Sequence, residues 1–202
     1  MEAFTTLTAV AAPLDLANID TDKIIPGRFL RKLRGPGYDK LSFHDIRFNA
    51  DGSENADFVL NQAAYRNAKI IVAAANFGCG SSREAAVYVM WDFGIRAVIA
   101  PSFGDIHYGN ELQNGMLPVA LPDAACATLR AQLHASPGAQ VTVDLATQAV
   151  TGPDGTRYAF EIDANHKERL LKGLDDIGLV MQHIGEIEAF EQRHAAAMPW
   201  LA

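Results

Sequence analysis

The 202-residue chain carries 17 Lys and Arg against 24 Asp and Glu, a formal net charge of −7. That length is one ordinary domain, and 49% hydrophobic residues are enough for a sizeable core. No run approaches the roughly 20 apolar residues of a membrane helix, and the basic residues form no long stripe, so neither a membrane nor a nucleic-acid partner is expected. The N-terminus, MEAFTTLTAVAAP, lacks the basic region of a signal peptide, which points to the cytoplasm. Two cysteines, Cys79 and Cys126, and six histidines without HExxH spacing predict no disulfide framework and no metal site made by this chain alone.

Residues 5–16 are β-prone and apolar and predict an opening strand. NIDTDKIIPGRFL (18–30) mixes Asp, Thr and Pro with short apolar pairs and reads as a structured loop, not a helix. Residues 34–57, rich in Gly, Pro, Asn and Asp, read as a long irregular connection of the kind that is usually functional or mobile. KIIVAAA (69–75) is short, apolar and uninterrupted, as a strand covered on both faces should be. REAAVYVMWDF predicts a helix ending at Gly94, RAVIA (96–100) a second buried strand, DIHYGNELQNG (105–115) a short helix and LPVAL (117–121) a third strand. This alternation argues for parallel βαβ units. DAACATLRAQLHA (123–135) predicts a helix with Asp123 as N-cap. Alternating residues around a PDG turn then give hairpin strands, and the end of the chain is helical with a break at Gly173. The expected fold class is α/β in one domain, 1–202.

The richest stretch is NFGCGSSRE (76–84), directly behind KIIVAAA. Ser81 and Glu84 have the S-x-x-E spacing of a capping box, which makes Ser81 an N-cap and Glu84 its partner. The glycines permit a tight turn and close approach to a ligand. The start of the following helix favours an anion, with Ser82 and the planar fork of Arg83 as further donors. A mere helix cap explains the spacing equally well, although the dipole that favours a cap also stabilises an alkoxide. A dinucleotide fingerprint, a phosphate loop and a G-x-S-x-G elbow are all absent. RFLRKLR (28–34) is either a solvated turn or a site for a small anion; charge alone favours the solvated turn.

NFGCGSSRE, with NIDTDKIIPGRFL before it and IRAVIAPSFGDIHYGN after it, resembles the small subunit of 3-isopropylmalate dehydratase, the swivelling domain of the aconitase superfamily. The similarity runs from about residue 5 through GLDDIGLVMQH (173–183). It implies a single swivelling β/α domain, with parallel βαβ units and additional hairpin strands, closing over a large subunit that carries a [4Fe–4S] cluster. It implies a hydro-lyase that interconverts 2- and 3-isopropylmalate in leucine biosynthesis and acts as a heterodimer on a small dicarboxylate. By the same resemblance Ser81 is the catalytic base, taking a proton from the carbon beside a carboxylate. Ser82, Arg83, Asp22, Thr21 and Arg34 then contribute to substrate binding, and 28–57 is a mobile active-site loop; the sequence pattern itself makes 176–202 a C-terminal helical segment.

The chemistry agrees with that assignment. A serine base needs a well-stabilised alkoxide, and the departing hydroxyl needs a Lewis acid for which this chain has no ligands. Cys79 alone cannot hold a cubane cluster and reads as a small turn residue. Trp91 and Phe93 read as packing, and His107 and His183 receive no catalytic role. One position departs from the family, which usually reads Ser-Ser-Arg-Glu-His-Ala: Ala85 stands in place of the histidine. That leaves open a paralogue for another 2-hydroxy diacid of the methylmalate or citraconate type. A non-catalytic anion-binding protein is the reading from a different class.

Overall fold

The uninterrupted apolar runs at the centre of the chain build a sheet covered on both faces. A computed structural model describes residues 1–80 and 83–201. In chain order the elements are β1 (Thr6–Leu14), α1 (Thr21–Ile24), α2 (His44–Arg47), β2 (Ile70–Ala73), α3 (Glu84–Phe93), β3 (Ala97–Ala100) and α4 (Asp105–Gln113). There follow β4 (Leu117–Ala120), α5 (Asp123–Ala135), β5 (Gln140–Asp144), β6 (Ala149–Thr151), β7 (Arg157–Ala159), α6 (Ala164–Lys172), α7 (Asp176–Met181) and α8 (Ile184–Ala197). Among the described residues seven strands form one sheet in the order β4-β3-β2-β1-β5-β6-β7. The pairs from β1 to β4 are parallel, and those from β1 through β5 and β6 to β7 are antiparallel.

The period of two sorts the strand residues between two cores. Ala12, Leu14, Ile71, Ala73, Val98 and Ala100 face α3 and the aromatic residues of 38–65. Ala9, Ala11, Ile70, Val72, Ala97 and Ile99 face α5, β5, β6 and α6. Helix α3 ends where Gly94 takes φ +112°, and the N–H groups of Gly94 and Ile95 donate to Trp91 and Met90 carbonyls, each at 3.0 Å. Buried Ile95 and Met90 complete that Schellman cap. Gly173 ends α6 in the same way, so the predicted break is present.

Several expectations need correction. Residues 18–30 do contain a helical turn: Asp20 accepts the Lys23 N–H at 2.8 Å and starts α1. The stretch 34–57 is less irregular than its composition suggests, because Tyr38, Leu41 and Phe43, with Phe58 and Leu60 beyond, are core residues. Buried Arg47 ties it together by donating to the Asp39 and Ser42 carbonyls and to Asn61 Oδ1, and it stacks over Phe93 at 4.6 Å. Its burial lowers the guanidinium pKa below the ordinary value. Asp123 is the first residue of α5 and not its cap; Pro122 precedes it and its carbonyl accepts from Ala125 and Cys126. The capping box is likewise out of register, since α3 begins at Glu84 with Arg83 in the cap position and no side-chain cap.

Candidate active site at the ends of the parallel strands

Three connections leave the carboxyl ends of β1, β2 and β3, where open α/β sheets place their ligands. The middle one, Asn76–Gly80, is bound on both sides. Toward the first connection, the Gly78 and Cys79 N–H groups both donate to the Ile19 carbonyl, at 2.7 and 3.2 Å, and the Thr21 N–H donates to the Cys79 carbonyl at 3.1 Å. Toward the third, Phe77 N–H donates to the Ser102 carbonyl and Gly104 N–H to the Phe77 carbonyl, at 3.0 and 2.8 Å. Asn76 and Asn18 both adopt positive φ, 65° and 53°, and the Asn76 Nδ2 donates to Asn18 Oδ1 at 2.8 Å. Asparagine tolerates that region better than most residues.

Gly78 has no alternative. Its φ is +70°, and a Cβ there would lie 2.1 Å from the ring of His107. The neighbouring connection is equally close, since a Cβ on Gly104 would lie 2.5 Å from the Gly78 carbonyl oxygen. Cys79 is a half-buried free thiol whose carbonyl holds Thr21, so it serves the turn through its backbone. Cys126 lies elsewhere in the core, where burial pushes its thiol up to about 11.

Of the predicted site residues, the structure brings Thr21, Asp22 and Arg83 together. The Arg83 guanidinium forms an ion pair with Asp22 across the connections, with Arg83 a quarter exposed and Asp22 more than half. Thr21 is buried beside the turn. Ser81 and Ser82 lie outside the described residues. Arg34 is not part of this group: its Nε and Nη2 grip both oxygens of Asp92 at 2.6–3.1 Å, and its guanidinium lies 5.1 Å from the Tyr88 ring centre. Asp92 is nine residues along α3 from Arg83, about 13 Å of helical rise. Arg34 instead lines a recess of about 280 Å³ with Tyr88, Trp91 and Asn114.

The basic cluster 28–34 is therefore partly neutralised from within. Arg28 pairs with Asp45, whose carboxyl falls to about 2, chiefly through that hydrogen bond. Glu84, freed from any capping box, accepts from Asn114 Nδ2 at 3.0 Å. Two residues outside the predicted site sit behind the turn: His107, to which the sequence reading gave no catalytic role, and Glu111, which it did not single out; both are fully buried, with Nε2 and Oε1 3.0 Å apart. Their i,i+4 spacing was visible in DIHYGNE, but such a pair usually faces solvent. No group of three or more His, Cys, Asp or Glu among the described residues could hold a metal ion.

Comparison with known proteins decides the family. The chain matches the family models for the aconitase C-terminal domain over residues 1–124, for LeuD_N over 127–164 and for the C-terminal domain of the 3-isopropylmalate dehydratase small subunit over 176–202. It is 53% identical to the 3-isopropylmalate dehydratase small subunit of Paramagnetospirillum magneticum, with each chain covered in full. The chain belongs to the 3-isopropylmalate dehydratase small-subunit family. The small subunit of Rhodospirillum rubrum is also 53% identical, covering 100% of this chain and 97% of that protein. A crystal structure of 3-isopropylmalate dehydratase from Methanocaldococcus jannaschii superposes with a TM-score of 0.66 at 25% identity, covering 92% of this chain and 99% of that one. Within this small-subunit family the aconitase-type match spans β1 to β4 and all three connections, so it includes the Asp22–Arg83 pair.

Proposed function

We propose that this chain is the small subunit of a hydro-lyase that interconverts 2- and 3-isopropylmalate by dehydration and rehydration in leucine biosynthesis. It acts in the cytoplasm, paired with a large subunit. The observation that carries the reading is the turn Asn76–Gly80, fixed on both sides by backbone hydrogen bonds and leading to Arg83 and Asp22 at the start of a ten-residue helix. Membership of the family over the whole chain supports it.

In this proposal Ser81 takes the proton from the carbon beside a carboxylate. The electron pair left behind forms the double bond as hydroxide departs from the neighbouring carbon, and rehydration reverses the step. The amino end of α3 favours the negative charge that Ser81 must bear as a base. Arg83 gives Nη1 to Asp22, and a guanidinium has five N–H donors, so its remaining donors suit a substrate carboxylate. Asp22 sets the plane of that fork, Thr21 fixes the turn behind it, and Ser82 adds a hydroxyl. Arg34 reaches the substrate only by leaving Asp92. The Lewis acid for the departing hydroxyl has no ligand set among the described residues, and the proposal assigns it to the large subunit as a [4Fe–4S] cluster.

The decisive experiment co-expresses this chain with candidate cluster-bearing subunits and assays a panel of malate derivatives. Turnover of isopropylmalate only in the complex, with Ser81→Ala reducing it by roughly 10²–10⁴-fold while binding of the large subunit persists, is expected. Near-wild-type turnover by Ser81→Ala, or turnover without a partner, removes the proposal. A second reading rests on Ala85, half-buried against the core in the first turn of α3: preference for a methylmalate or citraconate substrate in the same panel favours it.

A further inference from the structure

Helix α4 follows the third connection, and its first turn brings His107 beneath the turn Asn76–Gly80. The imidazole packs against Phe77, with ring centres 5.6 Å apart, and its Cγ–Cδ2 edge fills the space a Gly78 side chain would need. One helical turn later Glu111 lies against it. Both side chains are wholly shielded from solvent, and among the described residues neither His107 Nδ1 nor Glu111 Oε2 has a hydrogen-bond partner. Even the 3.0 Å contact between Nε2 and Oε1 is poorly directed for a hydrogen bond. Packing alone does not account for two such residues, because an apolar pair of similar volume is cheaper to bury. Buried groups left short of partners are a recurring mark of functional sites.

We propose that His107 and Glu111 form a buried positioning pair that supports the turn leading to Ser81 and limits turnover at high pH. The inference rests on the proposed role of Ser81. With the Glu111 carboxyl protonated, no negative charge lies beneath Gly78. Loss of that proton leaves a negative charge buried under Gly78, which opposes the alkoxide that Ser81 must approach. Burial raises the Glu111 carboxyl above the usual range, and the nearby His107 only partly offsets this. The other titratable groups on adjoining elements are Asp105 and Tyr108 on α4, Glu84, Tyr88 and Asp92 on α3, and Cys79 in the turn. The Arg83–Asp22 pair lies beyond the turn, and β4 contributes no titratable side chain. Tyr108 is raised first by burial and then by the charges of Glu111 and Asp163.

The sign of the linkage follows. A carboxyl whose folded pKa is raised binds more protons folded than unfolded, so its contribution is complete below the unfolded value and is lost as pH rises through the folded one. Two measurements on Glu111→Gln, which keeps the shape without the titration, test the pair. In the full chain alone, the melting temperature of wild type should fall with rising pH above the ordinary carboxylate range, and that slope should flatten in the variant. In the reconstituted complex, the high-pH limb of kcat should move upward in the variant with KM changed less than twofold. The double variant His107→Phe, Glu111→Leu, with an apolar floor that cannot titrate, should show the same displaced limb. An unchanged melting slope together with an unchanged kcat limb in both variants overturns the inference. Absence of dehydratase activity from every complex removes the Ser81 role instead, and the melting measurement still reads the pair.

Discussion

The two halves of the sheet use the same device for different ends. In the hairpin half, β6 and β7 are joined by a turn in which Gly155 takes φ +82°, and nothing lies within 4 Å of the place a side chain would occupy. In the parallel half, Gly78 takes φ +70° with the His107 ring pressed into that place. The hairpin glycine serves only the reversal of the chain. The crossover glycine serves the reversal and also a close approach between two connections and a buried pair. Hairpins close on themselves through their own ladder, whereas crossover ends must be held by one another, and this concentrates polar groups from distant parts of the sequence at one edge.

That contrast breaks most sharply by adding one methyl group to each turn. Gly78→Ala should destabilise the fold by about 3 kcal/mol, combining left-handed strain with overpacking, and should abolish turnover in the complex. Gly155→Ala should cost about 1 kcal/mol and leave kcat unchanged; urea titrations and steady-state assays read both. Equal losses would erase the distinction between the two turns. Next in size, Arg83→Lys should raise KM by roughly tenfold through loss of the planar fork. Arg157→Lys on β7, in the other half, should not move it. Smaller still, removal of residues 176–202 should shift the melting temperature by only a few degrees, because no residue of α7 or α8 is buried. A loss of cooperative unfolding would show that the segment belongs to the core. Smallest is a chemical contrast: iodoacetamide should label half-buried Cys79 in the native chain and spare Cys126, whose thiol is buried and raised to about 11.

Much of the fold was legible because local signals and tertiary packing agree. The uninterrupted run 70–73 and the glycines at 94 and 173 ask for the strand and helix ends that form. The start of α3 was not legible, because its register answers to distant groups: Asp22 takes Arg83, and Asn114 takes Glu84. The segment 38–61 was opaque for a related reason. Its aromatic residues follow no period, and its order depends on Arg47 finding carbonyl groups and a phenyl ring contributed by different elements. In the site, the turn was readable from its glycines and serines. The buried pair behind it was not, since burial is decided by what packs around a helix and not by the spacing along it. Arg34 shows the converse: twelve residues beyond Asp22 in sequence, it pairs with Asp92 near the finish of α3 and not with the residues around Arg83.

Helix α3 is fastened by an arginine–carboxylate contact at each end, Arg83 with Asp22 at its start and Arg34 with Asp92 near its finish. This makes the helix a spacer of fixed length. Deleting a single residue between the two anchors would turn one end about 100° against the other and shorten the gap by about 1.5 Å, so both contacts could not survive together. Substitutions along α3 can therefore accumulate in this lineage, while insertions and deletions within its ten residues should be selected against even where every individual side chain is replaceable.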